Sequence, residues 1–249
     1  MSVIQRYRAV VAYDGTDFFG YQFQLNRRTV QGDIEKALKS VTQSDIRVKA
    51  AGRTDAGVHA TGQVIAFDTR WKHSLPDLHR ALNATLPVDI VISNLQITDS
   101  AFHPRFDAIS RTYRYQIVNQ AWPTVLHRHY AWHVKQPLDM AAMQTAAQLL
   151  VGTHDFASFG KPPQGNNTVR TISGINWRVA EPFLFFEITA NAFLYRMVRR
   201  IVGTLVQTGV GQMAPNDIEI ILKAQDLTRS APPAPAHGLC LVGVTYPDE

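Results

Sequence analysis

Between Tyr7 and Ile97 the sequence switches its apolar period from two to 3.6 and back, twice over. A chain patterned that way is confined to sheets covered by helices. Tyr7 to Tyr13 alternates as a strand and stops at the turn signal Asp14-Gly15-Thr16. A loop dense in aromatics follows, with Phe18, Phe19, Tyr21 and Phe23 around Gly20. Thr29 reads as a helix N-cap, with Val30, Ile34, Ala37, Leu38 and Val41 spaced as one apolar face. Two short strands are expected at 46–50 and 62–67. Ser74 then caps a second helix with Leu75, Leu78 and Leu82 inward, and a further strand lies near Ile90 to Ile97.

The order partly recurs. Arg111 to Val118 is a strand by alternation, Leu138 to Leu150 a helix, and Gly152 its end. Val169 to Val179 and Phe183 to Ala190 read as an antiparallel pair turning at Glu181-Pro182. Phe193 to Val206 is helical, Pro215 opens a short helix through Ile218, Ile221 and Leu222, and Ala231 to Ala236 is a Pro-rich loop before a last strand, Leu239 to Val244. The expected fold is α+β with two similar halves, 1–102 and 103–249. Each half is a mainly antiparallel sheet with helices on one face. No exact repeat links them.

With 249 residues, 45% hydrophobic and 18% charged, the chain has the composition of a globular protein able to bury a core. No apolar run approaches the roughly 20 residues needed to cross a bilayer, and the start lacks a signal-peptide core. A single cysteine, Cys240, excludes an internal disulfide and a multi-cysteine metal site, and reads as a buried thiol. A reducing cytoplasm fits. The net charge of +5 is unevenly spread: residues 103–135 carry 5 Lys/Arg against 1 Asp/Glu, with four of the nine histidines and several aromatics. Basic side chains interleaved with aromatics suit RNA, although a solvated basic surface has the same composition.

Three clusters carry chemistry. Ala51 to Ala60, AGRTDAGVHA, sets Arg53, Thr54, Asp55 and His59 in a loop between two strands, with Gly52 and Gly57 supplying backbone freedom. Read locally, it is also an ordinary turn in which Thr54 and Asp55 bind nearby amides. Arg111, Tyr113 and Tyr115 share one strand face as a stacking and charge surface, or as half-buried structural tyrosines. Arg196, Arg199 and Arg200 fall together at the beginning of a helix, where the macrodipole disfavours cations, so an anionic partner is expected. Nothing completes a metal site around His127 and His129. His154-Asp155 has no GxSxG serine, and neither GxxxxGK[ST] nor GxGxxG occurs.

The segment GRTDAGVHA at 52–60 resembles the catalytic motif of the tRNA pseudouridine synthase A family. So do Tyr13-Asp14-Gly15-Thr16 with Phe18, Gly20 and Gln22, and Thr29-Val30-Gln31, with Tyr21 where the family more often has Trp. Phe102-His103-Pro104-Arg105-Phe106 with Arg111 to Tyr115 resembles its second motif. Gly152 to Phe156, Ser158-Phe159 and Arg170-Thr171-Ile172 resemble its C-terminal half, and Asn191-Ala192-Phe193 with Met197-Val198-Arg199 its last motif.

The resemblance implies two α/β halves joined across a basic RNA-binding cleft, acting as a homodimer on the anticodon stem and loop of tRNA. The implied reaction converts uridine to pseudouridine without cofactor or metal, in the cytoplasm and away from membranes. Asp55 is then the catalytic nucleophile, attacking C6 of the base or C1′ of the sugar. Arg199 is its charge partner, Tyr113 stacks on the displaced base and can take part in proton transfer, and Arg53 fills or clamps the vacated space. Arg105, Arg111, Arg114, Arg196 and Arg200 are candidate phosphate contacts. A non-catalytic tRNA-binding or tRNA-folding module, or a synthase for another RNA, are the alternatives.

Overall fold

Alternation builds the first strand: along Gln5–Tyr13 the buried positions are Tyr7, Ala9, Val11 and Tyr13, so one face packs inward while the other, from Arg6 to Ala12, is half-buried. The protein is described by a computed structural model over residues 3–247; Met1, Ser2, Asp248 and Glu249 of the two expected halves lie outside the described residues.

In chain order the elements are β1 (Gln5–Tyr13), α1 (Val30–Thr42), β2 (Lys49–Ala50), β3 (His59–Thr69), α2 (Leu75–Thr85), β4 (Ile90–Thr98) and β5 (Ser110–Asn119). Then come β6 (Trp132–Val134), α3 (Met140–Gln148), β7 (Gly152–Asp155), β8 (Val169–Ala180) and β9 (Phe183–Ala190). The chain ends with α4 (Met197–Gly209), α5 (Asp217–Ala224), a 3-10 turn at Ala236–Gly238, and β10 (Leu239–Thr245). The mixed α/β fold expected from the patterning is present.

The chain forms two compact units, one joining residues up to Ile109 with those from Cys240 onward, the other Ser110–Leu239. In the first unit the strand order is β4-β1-β3-β10, with β2 on β3. β1 is antiparallel to both β3 and β4, and β10 runs parallel to β3, pairing Cys240 with His59 and Leu241 with Ala60. In the second unit the order is β5-β9-β8-β7, all antiparallel, with β6 parallel to β5.

Residues 103–109 and the last strand, which the linear reading grouped with the second half, sit in the first unit. Their bonds explain why: Ile109 N–H donates to Thr245 O at 2.9 Å, Tyr246 Oη donates to Pro104 O at 2.7 Å, and Tyr246 packs on Phe102 with centroids 5.1 Å apart.

Both predicted caps are made. Thr29 Oγ1 accepts the Gly32 N–H and Ser74 Oγ accepts the Asp77 N–H, both at 3.3 Å. Other expectations shift. The strand expected at 46–50 shortens to Lys49–Ala50. Gly152 opens β7 at φ +110° rather than ending a helix, a conformation that favours glycine. The helix expected from Phe193 starts at Met197, because Arg196 is left-handed at φ 61° and breaks the turn. Cys240 is only partly buried, since it lies on the outward side of a strand whose inward residues are Leu239 and Leu241.

Candidate active site

The loop between β2 and β3 is held at both ends and in the middle. At its entry, Ala51 N–H donates to Val64 O at 2.9 Å, continuing the β2–β3 ladder. One residue later the side chain of Gln63, fully buried, takes over the ladder's role. Its Oε1 accepts Gly52 N–H at 3.3 Å and its Nε2 donates to Gly52 O at 2.9 Å. Thr54 is buried, with Oγ1 2.7 Å from Tyr13 Oη, and Tyr21 N–H donates to Thr54 O at 3.1 Å. Asp55 O accepts the Val58 N–H at 3.2 Å, closing a turn that Gly57 completes at φ +76°.

The aromatic loop wraps the same segment from the other side. Gly57 N–H donates to Phe18 O at 3.3 Å. Gly20, at φ +92°, approaches so closely that a Cβ would lie 2.8 Å from Thr54 O. Gly15 sits where a Cβ would fall on the carbonyl of Val58. The imidazole of His59 is buried behind the loop. Its Nδ1 lies 3.0 Å from the Gly15 N–H nitrogen, whose hydrogen bond it accepts, and 3.1 Å from Asp14 Oδ1. The outcome is a half-buried Asp55 between exposed Arg53 and exposed Ala56, on a backbone fixed on every side. Gly52 differs from Gly15, Gly20 and Gly57: its φ is not positive and a Cβ there would meet nothing within 4 Å among the described residues.

In the second unit, β5 presents Arg111, Tyr113 and Tyr115 on the face whose cross-strand neighbours are Ala190, Ile188 and Phe186, all buried. Tyr115 therefore belongs to the core. It is fully buried, its hydroxyl donates to Pro235 O at 2.8 Å, and burial raises its phenol far above the ordinary range. The expected stacking surface narrows to Tyr113, which is half-buried with its ring edge-on to Phe193 at 5.2 Å. Arg111 Nη1 donates to Asn191 O at 2.9 Å. Arg114 points to the opposite face and pairs with Glu187, Nε to Oε1 at 2.7 Å.

The three arginines expected on one helix face are separated by their partners, Arg196 lying just before α4 and Arg199 and Arg200 in its first turn. Arg196, exposed, stacks its guanidinium 4.8 Å from the Tyr195 ring. Arg199 Nε donates to Ala234 O at 2.7 Å. Arg200 Nη1 donates to Leu227 O, Ser230 Oγ and Ala231 O at 3.0, 3.0 and 3.2 Å. Arg105 lies in a short turn where its N–H donates to His103 Nδ1 at 3.1 Å and its guanidinium is 5.6 Å from the exposed Phe106 ring. Burial, with the charges of Lys49 and Arg6, lowers the His103 imidazole from its ordinary value, which keeps Nδ1 an acceptor. Sequence reasoning missed Gln63, Ala234 and Thr204, a buried residue of α4 whose Oγ1 accepts the Ala231 N–H at 3.1 Å. Of these only Gln63 left a trace, an amide directly before the apolar run Val64 to Phe67.

Residues 9–107 and 146–247 match the family model described as tRNA pseudouridine synthase. A Bacillus velezensis protein named tRNA pseudouridine synthase A is 44% identical over 244 residues, covering 97% of this chain and 99% of its own. Its Geobacillus kaustophilus namesake is 46% identical over 248 residues, covering 98% and 96%, and that of Bacillus subtilis 42% identical over 244 residues, covering 97% and 99%.

Proposed function

We propose that this chain, which belongs to the tRNA pseudouridine synthase family, works through the Asp55 loop. It isomerises uridine to pseudouridine in tRNA. The observation that carries the assignment to Asp55 is the loop itself: one carboxylate, half-buried, on a backbone anchored through Gly52, Thr54, Gly57 and Val58.

The reaction breaks N1–C1′, turns the uracil, forms C5–C1′, moves the C5 hydrogen off as a proton and leaves a hydrogen on N1. A carboxylate serves it by adding to C6 or by meeting C1′ as the glycosidic bond opens. Both routes need an ionised acid held still, and a fixed backbone supplies the second requirement without reorganisation during the reaction. Arg199 is the charge partner for Asp55. Tyr113 stacks on the displaced base, which leaves its helix at a cost of a few kcal/mol. Arg53 fills or clamps the vacated position. Arg105, Arg111 and Arg196 add contacts to phosphates.

The substrate region is the anticodon stem and loop, bound in a basic cleft by a homodimer in the cytoplasm. Among the described residues no helix is long and apolar enough to cross a membrane.

Asp55→Asn tests the reading. With tRNA tritiated at C5 of uridine, tritium release should fall by at least about 10³-fold, since an amide is a poor nucleophile and carries no charge. Binding of the same tRNA should change less than about threefold. Turnover near that of the unaltered protein would refute Asp55 as the reacting group, and normal binding without any turnover in the unaltered protein would favour a tRNA-folding module.

A further inference from the structure

The helix that carries Arg199 is stapled along one side to residues 230–234. Ala234 holds Arg199 twice: its N–H donates to the Arg199 carbonyl at 2.9 Å, and its carbonyl accepts Arg199 Nε at 2.7 Å. A hydrogen bond at Nε sets the plane of the guanidinium, and with it the direction of the two terminal nitrogens. The aim of Arg199 therefore depends on where Ala234 is.

Three other α4 residues decide that. Thr204, fully buried, accepts the Ala231 N–H on Oγ1 at 3.1 Å. Gly203 lets the Pro232 carbonyl come so near that a Cβ would fall on it. Arg200 gathers Leu227 O, Ser230 Oγ and Ala231 O around a single nitrogen. Behind this, Ser230 Oγ lies 2.5 Å from Ser158 O, while Ser158 Oγ donates to Ile221 O at 2.5 Å and accepts Asp226 N–H at 2.9 Å. Burial, and after it the nearby Arg196 charge, lower the Arg200 guanidinium from its ordinary value, while its Nη1 is taken up by protein acceptors.

We propose that Arg200 is a positioning residue for Arg199, acting by fixing the 230–234 segment whose Ala234 carbonyl aims the Arg199 guanidinium, and that it makes no phosphate contact. The proposal rests on the reading of Arg199 as the charge partner of Asp55. It reassigns Arg200, whose charge alone placed it among the phosphate contacts.

Arg200→Lys separates the two roles. A lysine keeps the charge but loses the planar fork, so it largely replaces a point contact to phosphate and fails as a three-acceptor staple. With C5-tritiated tRNA we expect kcat to fall about 10- to 100-fold, the scale of a small misplacement of a reacting group. The Kd for tRNA should stay within about twofold, and the slope of log Kd against log salt should not change. Thr204→Val removes a staple that no phosphate can reach and should lower kcat several-fold with the same unchanged Kd. It stands in for Arg200→Lys if that variant does not fold, as judged by thermal unfolding.

Full kcat in folded Arg200→Lys, or a salt slope reduced by about one in folded Arg200→Met, would overturn the proposal. If Arg199→Met retains full kcat, the reading of Arg199 has failed and the proposal falls with it. If Arg199→Met is impaired and Arg200→Lys is not, only the positioning role is lost.

Discussion

Gln63 clasps Gly52 from both sides, accepting its N–H at 3.3 Å and donating to its carbonyl at 2.9 Å. A side chain of β3 thus performs a task that a strand's backbone usually does, at the point where the chain leaves β2 to present Arg53, Thr54 and Asp55. Gln63→Leu leaves two polar groups of Gly52 without these partners, so stability should drop by about 1–3 kcal/mol in urea unfolding. Turnover should drop more than binding, because the loop loses its entry anchor. Equal losses in kcat and in tRNA affinity would show instead that Gln63 supports the binding surface.

Glycines beside this loop should respond in opposite ways. Gly15→Ala drives a methyl into the Val58 carbonyl and should cost about 1–3 kcal/mol, with lost turnover, because the exit of the loop must shift. Gly52→Ala places its methyl in open space and should leave the melting profile within about 0.5 kcal/mol of the unaltered protein. Reduced turnover in a normally stable Gly52→Ala would mark that space as occupied by substrate.

Tyr21 presents the opposite problem. Its hydroxyl is buried without a hydrogen-bond partner among the described residues, and burial raises its phenol well above the ordinary range. An unsatisfied buried hydroxyl costs about 1–3 kcal/mol. Tyr21→Phe should therefore be neutral or more stable by about 1 kcal/mol, read from the urea midpoint. A clear loss of stability would reveal a partner such as a bound water.

Acid should loosen β1 from β3. Arg6 grips Asp68 with Nε and Nη2, each at 2.7 Å, and this holds the Asp68 carboxyl below its usual range. A depressed folded value means that the contribution is complete above the unfolded value, near pH 4, and disappears as pH falls through the folded one. The carboxylate is 42% exposed, so solvent screening limits the effect to less than about 1 kcal/mol. Asp68→Asn should flatten the corresponding part of the acid limb in unfolding measured from pH 5 to pH 2. An unchanged limb would mean that the pair contributes nothing to folding.

What the sequence disclosed and what it hid divide along one line: whether the partner of a residue lies nearby in the chain. Thr29 and Ser74 cap amides three residues ahead, and both were legible. The turn around Asp55 was legible as a motif for the same reason. Alternation leaves Tyr115 open as part of a stacking surface or as a half-buried structural tyrosine, and its hydroxyl bond to Pro235, 120 positions on, decides for the core. Arg200 read as part of a cationic helix face because its acceptors, Leu227, Ser230 and Ala231, lie about thirty residues away in a loop without a pattern of its own. Arg196 broke the helix early through a left-handed backbone, which arginine rarely adopts and composition does not announce.

The pairing of Cys240 with His59 has a temporal side. The strand that leaves the Asp55 loop is finished early in synthesis, but its parallel neighbour β10 is made only after residues 110–239. At ribosomal speeds of about 5–20 residues per second, the His59–Ala60 end of β3 stays uncovered on that side for roughly ten to thirty seconds in every newborn copy. A ribosome that stalls anywhere in the second unit leaves a chain bearing the entire reactive motif beside an open sheet edge, ready to pair with the wrong strand.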